Sequence, residues 1–342
     1  MARDDDHASS PVADPDLIAG RVRAGGLLPH ARPVVVLLSG GRDSVCLLDL
    51  AVLLAGAGAV SALHVDYGLR GEDSAADAEH CERVAQRLGV PLTTEHAQAP
   101  GDAGNLQAWA RDLRYAAGLR LAAGHGARLA AGHTASDQAE TVLYRLAASP
   151  GRRALLGMED ERGLLVRPLL RAGLTREDTA AWCRARGLPW REDASNADER
   201  FARTRVRGDL LDALRAVHPA AEANVLRTAE LLREEAEVLD VVVDRALAGR
   251  DRIALAHLSD LPPALGRLIL RRLAEDATGG HCARAGGRLG DVLALGGDAA
   301  LDLGEGARAV VQGGMLSVER TPPLPAARPG AAGAAGARFP HP

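Results

Sequence analysis

The chain has 342 residues, of which 47% are hydrophobic and 25% charged, as expected for a globular protein with one large domain or two. A formal net charge of -4 excludes a generally basic surface, so any nucleic-acid contact must come from a local group of cations. All 41 basic residues are arginine, because the sequence contains no lysine. This excludes a lysine Schiff base, a lysine general base and the phosphate-binding lysine of a Walker A loop.

The sequence predicts a cytoplasmic protein with no membrane partner. No apolar run approaches the roughly 18 residues that span a bilayer, and residues 1–16 lack the basic and apolar segments of a secretory signal. Cys46, Cys81, Cys183 and Cys282 lie far apart along the chain and form no C-x-x-C pair. This spacing predicts buried free thiols instead of a disulfide framework or a zinc site.

Apolar runs alternate with helical patterns in the first half of the chain. The predicted strands cover residues 34–38, 60–65, 90–95 and 127–132, and the predicted helices cover 43–54, 74–88, 105–123 (capped by Asn105) and 137–147. Strands and helices that alternate in this way predict an α/β fold with a doubly wound parallel sheet. Ligands then bind at the carboxyl ends of the strands.

After residue 167 the pattern loses its strands. A helix is predicted over 175–186, an irregular stretch over 191–204, and a long helix from about 219 to 247. We therefore expect a main domain over residues 16–218, and a linking helix with a small α+β domain over 219–320. Residues 1–15 and 321–342 are expected to be disordered, since they cannot bury enough apolar surface to offset chain entropy.

The segment S-G-G-R-D-S, residues 39–44, separates the first strand from the first helix. Two glycines let the backbone approach a ligand closely, while hydroxyls and the free amides of a helix start attract an anion. A structural turn without a ligand would satisfy part of this pattern. The full string, however, resembles the PP-loop of the ATP pyrophosphatases, which cleave ATP between its α and β phosphates, and implies their adenine nucleotide alpha-hydrolase-like fold.

Three further segments resemble the tRNA(Ile)-lysidine synthetases within that superfamily. The segment H-V-D-Y-G-L-R from His64 has Tyr67 where the family usually has histidine, and W-A-R-D-L-R-Y contains Arg111 and Arg114. The segment G-H-T-A-S-D-Q-A-E-T, residues 132–141, has Ser136 where the family has aspartate. With smaller elements at 155–158, 167–170 and 190–196, the resemblance covers about residues 32–218.

Charged pairs and clusters within these segments have both structural and functional interpretations. Asp137 and Glu140 either complement a helix dipole or face a cleft, where they would hold Mg²⁺ or the ammonium of an incoming lysine. Arg111 and Arg114, three residues apart on one helical face, are ordinary surface arginines or neutralise phosphate charge. The arginine cluster that ends with Arg207 is a solvated face or a contact for tRNA phosphates.

The resemblance implies an enzyme that uses ATP, Mg²⁺ and free L-lysine to modify the wobble cytidine of tRNA(Ile) with a CAU anticodon. Adenylation of oxygen 2 would be followed by attack of lysine on carbon 2, giving lysidine, AMP and pyrophosphate. It also implies that residues 219–320 bind the tRNA. The ATP residues would be Ser39, Gly40, Gly41, Arg42, Asp43, Ser44 and His64; the catalytic residues Asp43, Arg111, Arg114, Asp137 and Glu140; the metal ligands Asp43 and Asp137; and the RNA contacts Arg203, Arg205 and Arg207.

Two other functions stay open at this stage. A PP-loop tRNA thiolase would share the activation step, although such enzymes rely on paired or catalytic cysteines, and Cys46 beside the loop is expected to pack the helix. An inert nucleotide-binding or RNA-binding protein of the same fold would bind ATP without tRNA-dependent release of pyrophosphate. The sequence leaves the choice between a monomer and a homodimer open.

Overall fold

The computed structural model of the protein describes residues 14–68, 71–98, 106–149, 151–192 and 202–322. The helices there are α1 Pro15–Ala24, α2 Arg42–Ala55, α3 Glu72–Arg87, α4 Leu106–Gly124, α5 Ala135–Ala148, α6 Pro168–Arg171, α7 Arg176–Ala185, α8 Ala202–Arg205, α9 Leu211–Val217, α10 Ala221–Leu247, α11 Leu255–Asp260, α12 Pro263–Thr278 and α13 Leu289–Leu293. The strands are β1 Val34–Leu37, β2 Val60–Asp66, β3 Leu92–His96, β4 Arg128–Ala130, β5 Glu161–Arg162, β6 Leu165–Val166, β7 Arg252–Ala254, β8 Ala299–Gly304, β9 Ala307–Gln312 and β10 Met315–Arg320.

The first six strands form one sheet in the order β3-β2-β1-β4-β6-β5. All neighbours pair in parallel except β5, which is antiparallel to β6 at one edge. Strand β1 lies at the centre, with Val34 opposite both Val60 of β2 and Arg128 of β4. The strand order reverses next to β1, so the predicted doubly wound α/β sheet is confirmed.

Both faces of this sheet are covered by helices. Val34 and Val36 belong to a core that includes residues of α1, α2 and α7, whereas Val35 and Leu37 pack with Ala117 of α4 on the opposite face. All four residues of β1 are buried, as expected for a central parallel strand. The carboxyl end of β1 therefore opens at one edge of the sheet, where the turn into α2 begins.

The chain divides into two compact units, one up to Arg233 and one from Glu234 onward. The division falls inside α10, whereas the sequence pattern predicted it ahead of that helix. In the second unit β7, β10, β9 and β8 form an antiparallel sheet in that order, and a separate core contains Ile269, Leu270 and Leu316. The ends predicted to be disordered, 1–15 and 321–342, lie almost wholly outside the described residues, as does Asn105.

Across the described ranges, none of the helices combines the length and the apolar character required to cross a bilayer.

Candidate active site

The turn between β1 and α2 leads into a helix start that has no side-chain cap. Helix α2 follows the N-cap residue Gly41, and no side chain caps its first turn. The Ser44 hydroxyl donates to Gly41 O at 2.7 Å and accepts from Ser39 N at 3.2 Å, so it holds the turn closed. Uncapped amides and the helix dipole both favour an anion at this position. The turn therefore has features that suit a backbone phosphate site, and phosphate binding by residues 39–44 stays a prediction.

Gly40 is the residue on which the shape of this turn depends. Its φ of +81° lies in the region that favours glycine. A Cβ at this position would lie 3.1 Å from His80 Cδ2 and 3.3 Å from Cys81 Sγ, both of α3. Gly40 O also accepts a hydrogen bond from Arg191 N at 3.0 Å. The turn is thus enclosed from two sides by segments distant in sequence.

His64 lies beneath the turn at the end of β2. Its ring is buried, with Nδ1 at 3.0 Å from Leu38 O and at 3.4 Å from Cys81 Sγ. Because a carbonyl oxygen only accepts, this pair requires the proton on Nδ1. The described contact of His64 is therefore with the backbone that leads into the turn, and a contact with a nucleotide stays a prediction.

Helix α5 carries the carboxylates of Asp137 and Glu140 and the amide of Gln138. Thr134 caps the helix, because Thr134 N donates to Asp137 Oδ2 at 2.8 Å and Thr134 Oγ1 accepts from Asp137 N at 3.3 Å. Gln138 pairs with the backbone of Met158, with its Oε1 at 2.7 Å from N and its Nε2 at 2.9 Å from O. Asp137 and Glu140 both face other charged groups.

Two arginines neutralise these carboxylates. Arg176, the first residue of α7, places Nη2 at 2.5 Å from Asp137 Oδ1, and its Nη1 donates to Glu140 Oε1. Arg207 Nε lies 2.8 Å from the same Glu140 oxygen, and Arg207 belongs to a π-helical turn, Val206–Leu210, of a kind frequent at functional sites. Sequence reasoning placed both acids in the site but did not identify Arg176.

Arg176 is held by negative charge on several sides. Burial by itself lowers the pKa of its guanidinium, but the hydrogen bond to Glu140 and the charges of Asp137, Glu140 and Asp43 raise that pKa above its usual range. Arg176 is therefore a permanent cation. Its side chain is 16% exposed and that of Glu140 only 4%, so solvent screens this pair weakly.

We call Asp137, Glu140, Arg176 and Arg207 the acid cluster, and residues 39–44 the phosphate turn. Asp43 connects the two. Its Oδ1 lies 2.5 Å from Thr179 Oγ1 and 3.1 Å from Arg42 Nε. Thr179 Oγ1 also lies 3.0 Å from Arg176 O, so one hydroxyl bridges Asp43 and the first turn of α7. The predicted nucleotide residues and the predicted acid pair therefore form one continuous cluster.

A buried carboxylate fixes α7, and hence Arg176, against α2. Asp49 of α2 is 2% exposed. It accepts hydrogen bonds from Trp182 Nε1 at 2.9 Å and from Arg186 Nε at 2.9 Å. A buried charge requires such partners. No local sequence pattern indicates this contact, because Asp49 and its partners are far apart along the chain.

Arg111 and Arg114 lie on one face of α4, as predicted from their spacing. Their guanidinium carbons lie 5.0 and 5.7 Å from the centre of the Tyr115 ring. The Tyr115 hydroxyl is 3.4 Å from His133 Nε2, and Arg167 Nε donates to His133 Nδ1 at 3.2 Å. Within the described residues, Arg114 Nε is buried without a hydrogen-bond partner. The roles of both arginines in charge neutralisation stay predictions.

Tyr67, which stands where the related family has histidine, has a structural contact. Its hydroxyl donates to Ala110 O at 3.0 Å, and its ring meets Trp109 edge to face at 5.9 Å. Burial raises the pKa of the Tyr67 phenol, so the group stays neutral at physiological pH. Tyr67 thus joins the end of β2 to α4.

The predicted RNA-binding arginines are only partly brought to the site. Arg207 contacts Glu140, as above, whereas Arg205 is exposed on α8. The side chain of Arg203 and the whole of residues 193–200 lie outside the described residues. A role for this cluster in binding RNA therefore stays a prediction.

The two metal ligands predicted from sequence differ in how well they fit Mg²⁺. Asp43 supplies a carboxylate beside the phosphate turn, and hard oxygen donors of this kind suit Mg²⁺. Asp137 uses both oxygens already, Oδ2 for the cap of α5 and Oδ1 for Arg176. Among the residues that the structure describes, no three His, Cys, Asp or Glu side chains are grouped to hold a metal. Asp43 therefore fits the predicted role as a metal ligand. Asp137 fits this role only if Arg176 moves away from its Oδ1.

A separate cavity of about 220 Å³ lies between α5 and the start of α10. Its lining is aliphatic apart from Asn224 and Thr228. It lacks the charged groups that a triphosphate needs, so the charged cluster is the better candidate for nucleotide chemistry.

Comparisons with known proteins agree with this geometry. Residues 22–214 match the family described as PP-loop domain. The tRNA(Ile)-lysidine synthase of Solibacter usitatus is 41% identical over 256 residues, which cover 72% of this chain and 57% of that protein. The enzyme of the same name from Thermus thermophilus is 41% identical over 76% of this chain and 52% of its own length. The chain thus spans about half the length of these curated relatives.

One curated relative is similar in length to this chain, and one solved structure shares its fold. The tRNA(Ile)-lysidine synthase of Salinispora tropica is 38% identical over 321 residues, covering 89% of this chain and 93% of that protein. The U34-tRNA thiolase NcsA from Methanococcus maripaludis has a TM-score of 0.53 at 18% identity, over 64% of this chain and 78% of that one. This likeness concerns the fold alone. By its PP-loop domain and its full-length similarity to the Salinispora protein, the chain belongs to the tRNA(Ile)-lysidine synthase family.

Proposed function

We propose that this protein is an ATP-dependent ligase that converts the wobble cytidine of tRNA(Ile) with a CAU anticodon into lysidine, working in the cytoplasm. Oxygen 2 of the cytosine attacks the α-phosphate of ATP and releases pyrophosphate. The ε-amine of free lysine then attacks carbon 2, and the bond from carbon 2 to the adenylate oxygen breaks to release AMP. The proton that the amine loses passes to a base.

The observation that carries this proposal is the position of an acid pair next to a backbone phosphate site. The turn at Gly40 and Gly41 supports an anionic ligand, and Asp137 and Glu140 already hold an organic cation, the guanidinium of Arg176. A triphosphate has the negative charge that suits the turn, and an alkylammonium has the positive charge that suits the acid pair. Joining a nucleotide to an amine substrate requires both, held close together.

The surrounding residues supply the remaining roles. Arg111 and Arg114 stabilise negative charge that develops on the transferring phosphoryl group and on pyrophosphate. A carboxylate that binds the lysine ammonium is also positioned to accept the proton that the amine loses before its attack. Asp43 would hold Mg²⁺, whose chemistry when bound is to shield phosphate charge. The arginines at 203, 205 and 207, and the region beyond residue 219, would contact the tRNA.

The cysteines give no support to the alternative of sulfur transfer. Cys46 and Cys183 lie close enough to influence each other although they are distant in sequence, and both are buried. Burial, with Cys183 next in importance, raises the pKa of Cys46, and burial raises the pKa of Cys81 to about 12. A thiolase needs an accessible thiolate, whereas Cys46 and Cys81 are buried and remain protonated.

The direct test is to incubate the protein with ATP, Mg²⁺, radiolabelled lysine and unmodified tRNA(Ile). We expect lysine to enter the tRNA with equimolar release of AMP and pyrophosphate. A tRNA(Ile) transcript with the wobble cytidine replaced by uridine is the matched control and should remain unlabelled. ATP binding without tRNA-dependent pyrophosphate release would instead support an inert binding protein, and labelling from a sulfur donor would support a thiolase.

A further inference from the structure

Arg176 occupies the place in which the proposed function puts the substrate ammonium. Its two terminal nitrogens contact Asp137 and Glu140 separately, so the guanidinium bridges the acid pair. The arrangement is bidentate across two residues, which makes it stronger than a contact with one carboxylate. With Arg176 in this position, the acid pair is closed to another cation.

The charges of the cluster are already balanced. Asp137 and Glu140 carry two negative charges, and Arg176 and Arg207 carry two positive ones. A lysine ammonium added to this group would place a third cation within a few ångströms of two guanidinium groups. Like charges at such short range repel, and they repel more strongly in a partly buried site than in water. One arginine must therefore leave before the ammonium binds.

Arg176 has an alternative partner on the side of the phosphate turn. The charge of Asp43 acts on its guanidinium, and Thr179 links Asp43 with the backbone of Arg176. A triphosphate at the turn would bring several negative charges and oxygens suited to a forked guanidinium. The helix itself need not move, because Asp49 anchors α7 through Trp182 and Arg186. The transfer that we infer therefore involves rotation of the Arg176 side chain.

We infer that Arg176 is a positioning residue that closes the amine subsite until a nucleotide binds at the phosphate turn. In this arrangement Arg176 holds the acid pair in the free protein and transfers to the triphosphate, after which lysine can bind to Asp137 and Glu140. The inference rests on the proposed function, since it assumes that lysine and ATP are the ligands. It adds an order to their binding: nucleotide first, amine second.

The experiment measures lysine affinity by equilibrium dialysis with radiolabelled lysine, with and without α,β-methylene ATP. In the unaltered protein the analogue should tighten lysine binding by about 10-fold or more, within the range usual for coupled sites. In Arg176→Gln, lysine should bind without the analogue nearly as tightly as it binds to the unaltered protein with it. Arg176→Lys keeps the cation and should keep part of the nucleotide dependence.

Arg184→Gln is the matched control, because Arg184 is an exposed arginine of the same helix. It should show the nucleotide dependence of the unaltered protein. A gain in lysine affinity on removal of Arg176 is a result that general damage to the structure would not produce. Lysine binding that is equally tight with and without the analogue in the unaltered protein would overturn the inference.

A second measurement needs no variant, and so does not depend on how well Arg176→Gln folds. Coupling between two sites is reciprocal, so saturating lysine should tighten binding of α,β-methylene ATP by the same factor. Lysine incorporation into tRNA, measured in parallel, separates the two proposals. If lysine is incorporated but its binding is not coupled to that of the nucleotide, only the role inferred for Arg176 is contradicted. If no lysine is incorporated, the proposed function is contradicted.

Discussion

The phosphate turn and the acid cluster are neighbours, but one is formed mainly by backbone groups and the other by charged side chains. The turn, residues 39–44, relies on backbone amides, two glycines and a hydroxyl, and it leaves the first turn of α2 uncapped. The acid cluster relies on side chains, and its carboxylates are already paired with Arg176 and Arg207. In the proposed function the turn can accept an anion as it stands, whereas the acid cluster must exchange a cation before it can accept an ammonium group. Variants of each region test this difference.

The largest effect is expected in the acid cluster. Asp137→Ala should lower lysine incorporation by at least about 100-fold, because the amine loses a positioning carboxylate. The variant also loses the hydrogen bond from Thr134 N to Asp137 Oδ2, which is half of the capping box of α5 and is worth about 1 kcal/mol of stability. Asp14→Ala is the matched control, since Asp14 is exposed and caps α1, away from the acid cluster in sequence and in its described contacts. Retained incorporation in Asp137→Ala, measured with radiolabelled lysine, would remove Asp137 from the site.

The next effect concerns the backbone of the phosphate turn. Gly40→Ala places a side chain at φ +81° and brings its Cβ to 3.1 Å from His80. We expect nucleotide affinity, measured by calorimetry, to fall about 10-fold or more, because the crowded Cβ displaces the backbone of the turn. The left-handed conformation of an alanine costs about 1–2 kcal/mol of stability wherever it occurs. Gly89→Ala has a similar φ of +66° but no neighbours within 4 Å. Equal losses of affinity in the two variants would show that the turn is not a ligand site.

A third prediction concerns alkaline stability near the turn. Burial raises the pKa of Cys81 from 9.0 to about 12, so between these values the thiol ionises in the unfolded chain but not in the folded one. The free energy of unfolding should therefore fall as pH rises above 9, by up to about 1.4 kcal/mol per pH unit. Cys81→Ala should lose less stability than the unaltered protein between pH 9 and 10.5 in urea titrations. Parallel losses would indicate that Cys81 ionises freely in the folded state.

The smallest effect is expected at Tyr67. Tyr67→Phe removes the hydrogen bond to Ala110 O and should cost about 0.5–1.5 kcal/mol of stability. Lysine incorporation should change by no more than about twofold, because the described contacts of the hydroxyl are with α4 and not with the charged cluster. A large loss of incorporation with unchanged stability would give this hydroxyl a part in the chemistry.

The features that sequence predicted well are those fixed by neighbouring residues. The apolar run at 34–38 and the glycines that follow it define β1 and the turn locally, and the capping pattern from Thr175 is present in the structure. The hairpin of β5 and β6 was not predicted, because each strand has only two residues and no periodicity. Short strands of this kind depend on the adjacent sheet.

The contacts that sequence did not predict join distant segments. Arg176 lies 36 residues from Glu140, and Arg207 lies 67 residues from it, so no spacing rule connects them. The proximity of Cys46 and Cys183 was likewise missed, since the two lie far apart in the chain. A hint existed for Arg176, because it directly follows the predicted helix cap Thr175 in a chain whose only strong cations are arginines. Charge balance could have suggested a partner, but not which arginine.

Gly132 has a consequence for how far apart the two bound groups can be. A Cβ at this position would lie 3.1 Å from the carbonyl carbon and oxygen of Asp43 and 3.2 Å from Ser44 N, so here two main chains touch. Any larger residue would push the start of α2 away from the segment that leads into α5. The missing side chain therefore lets the two main chains pack directly, which keeps the phosphate turn and the first turn of α5 at a fixed separation.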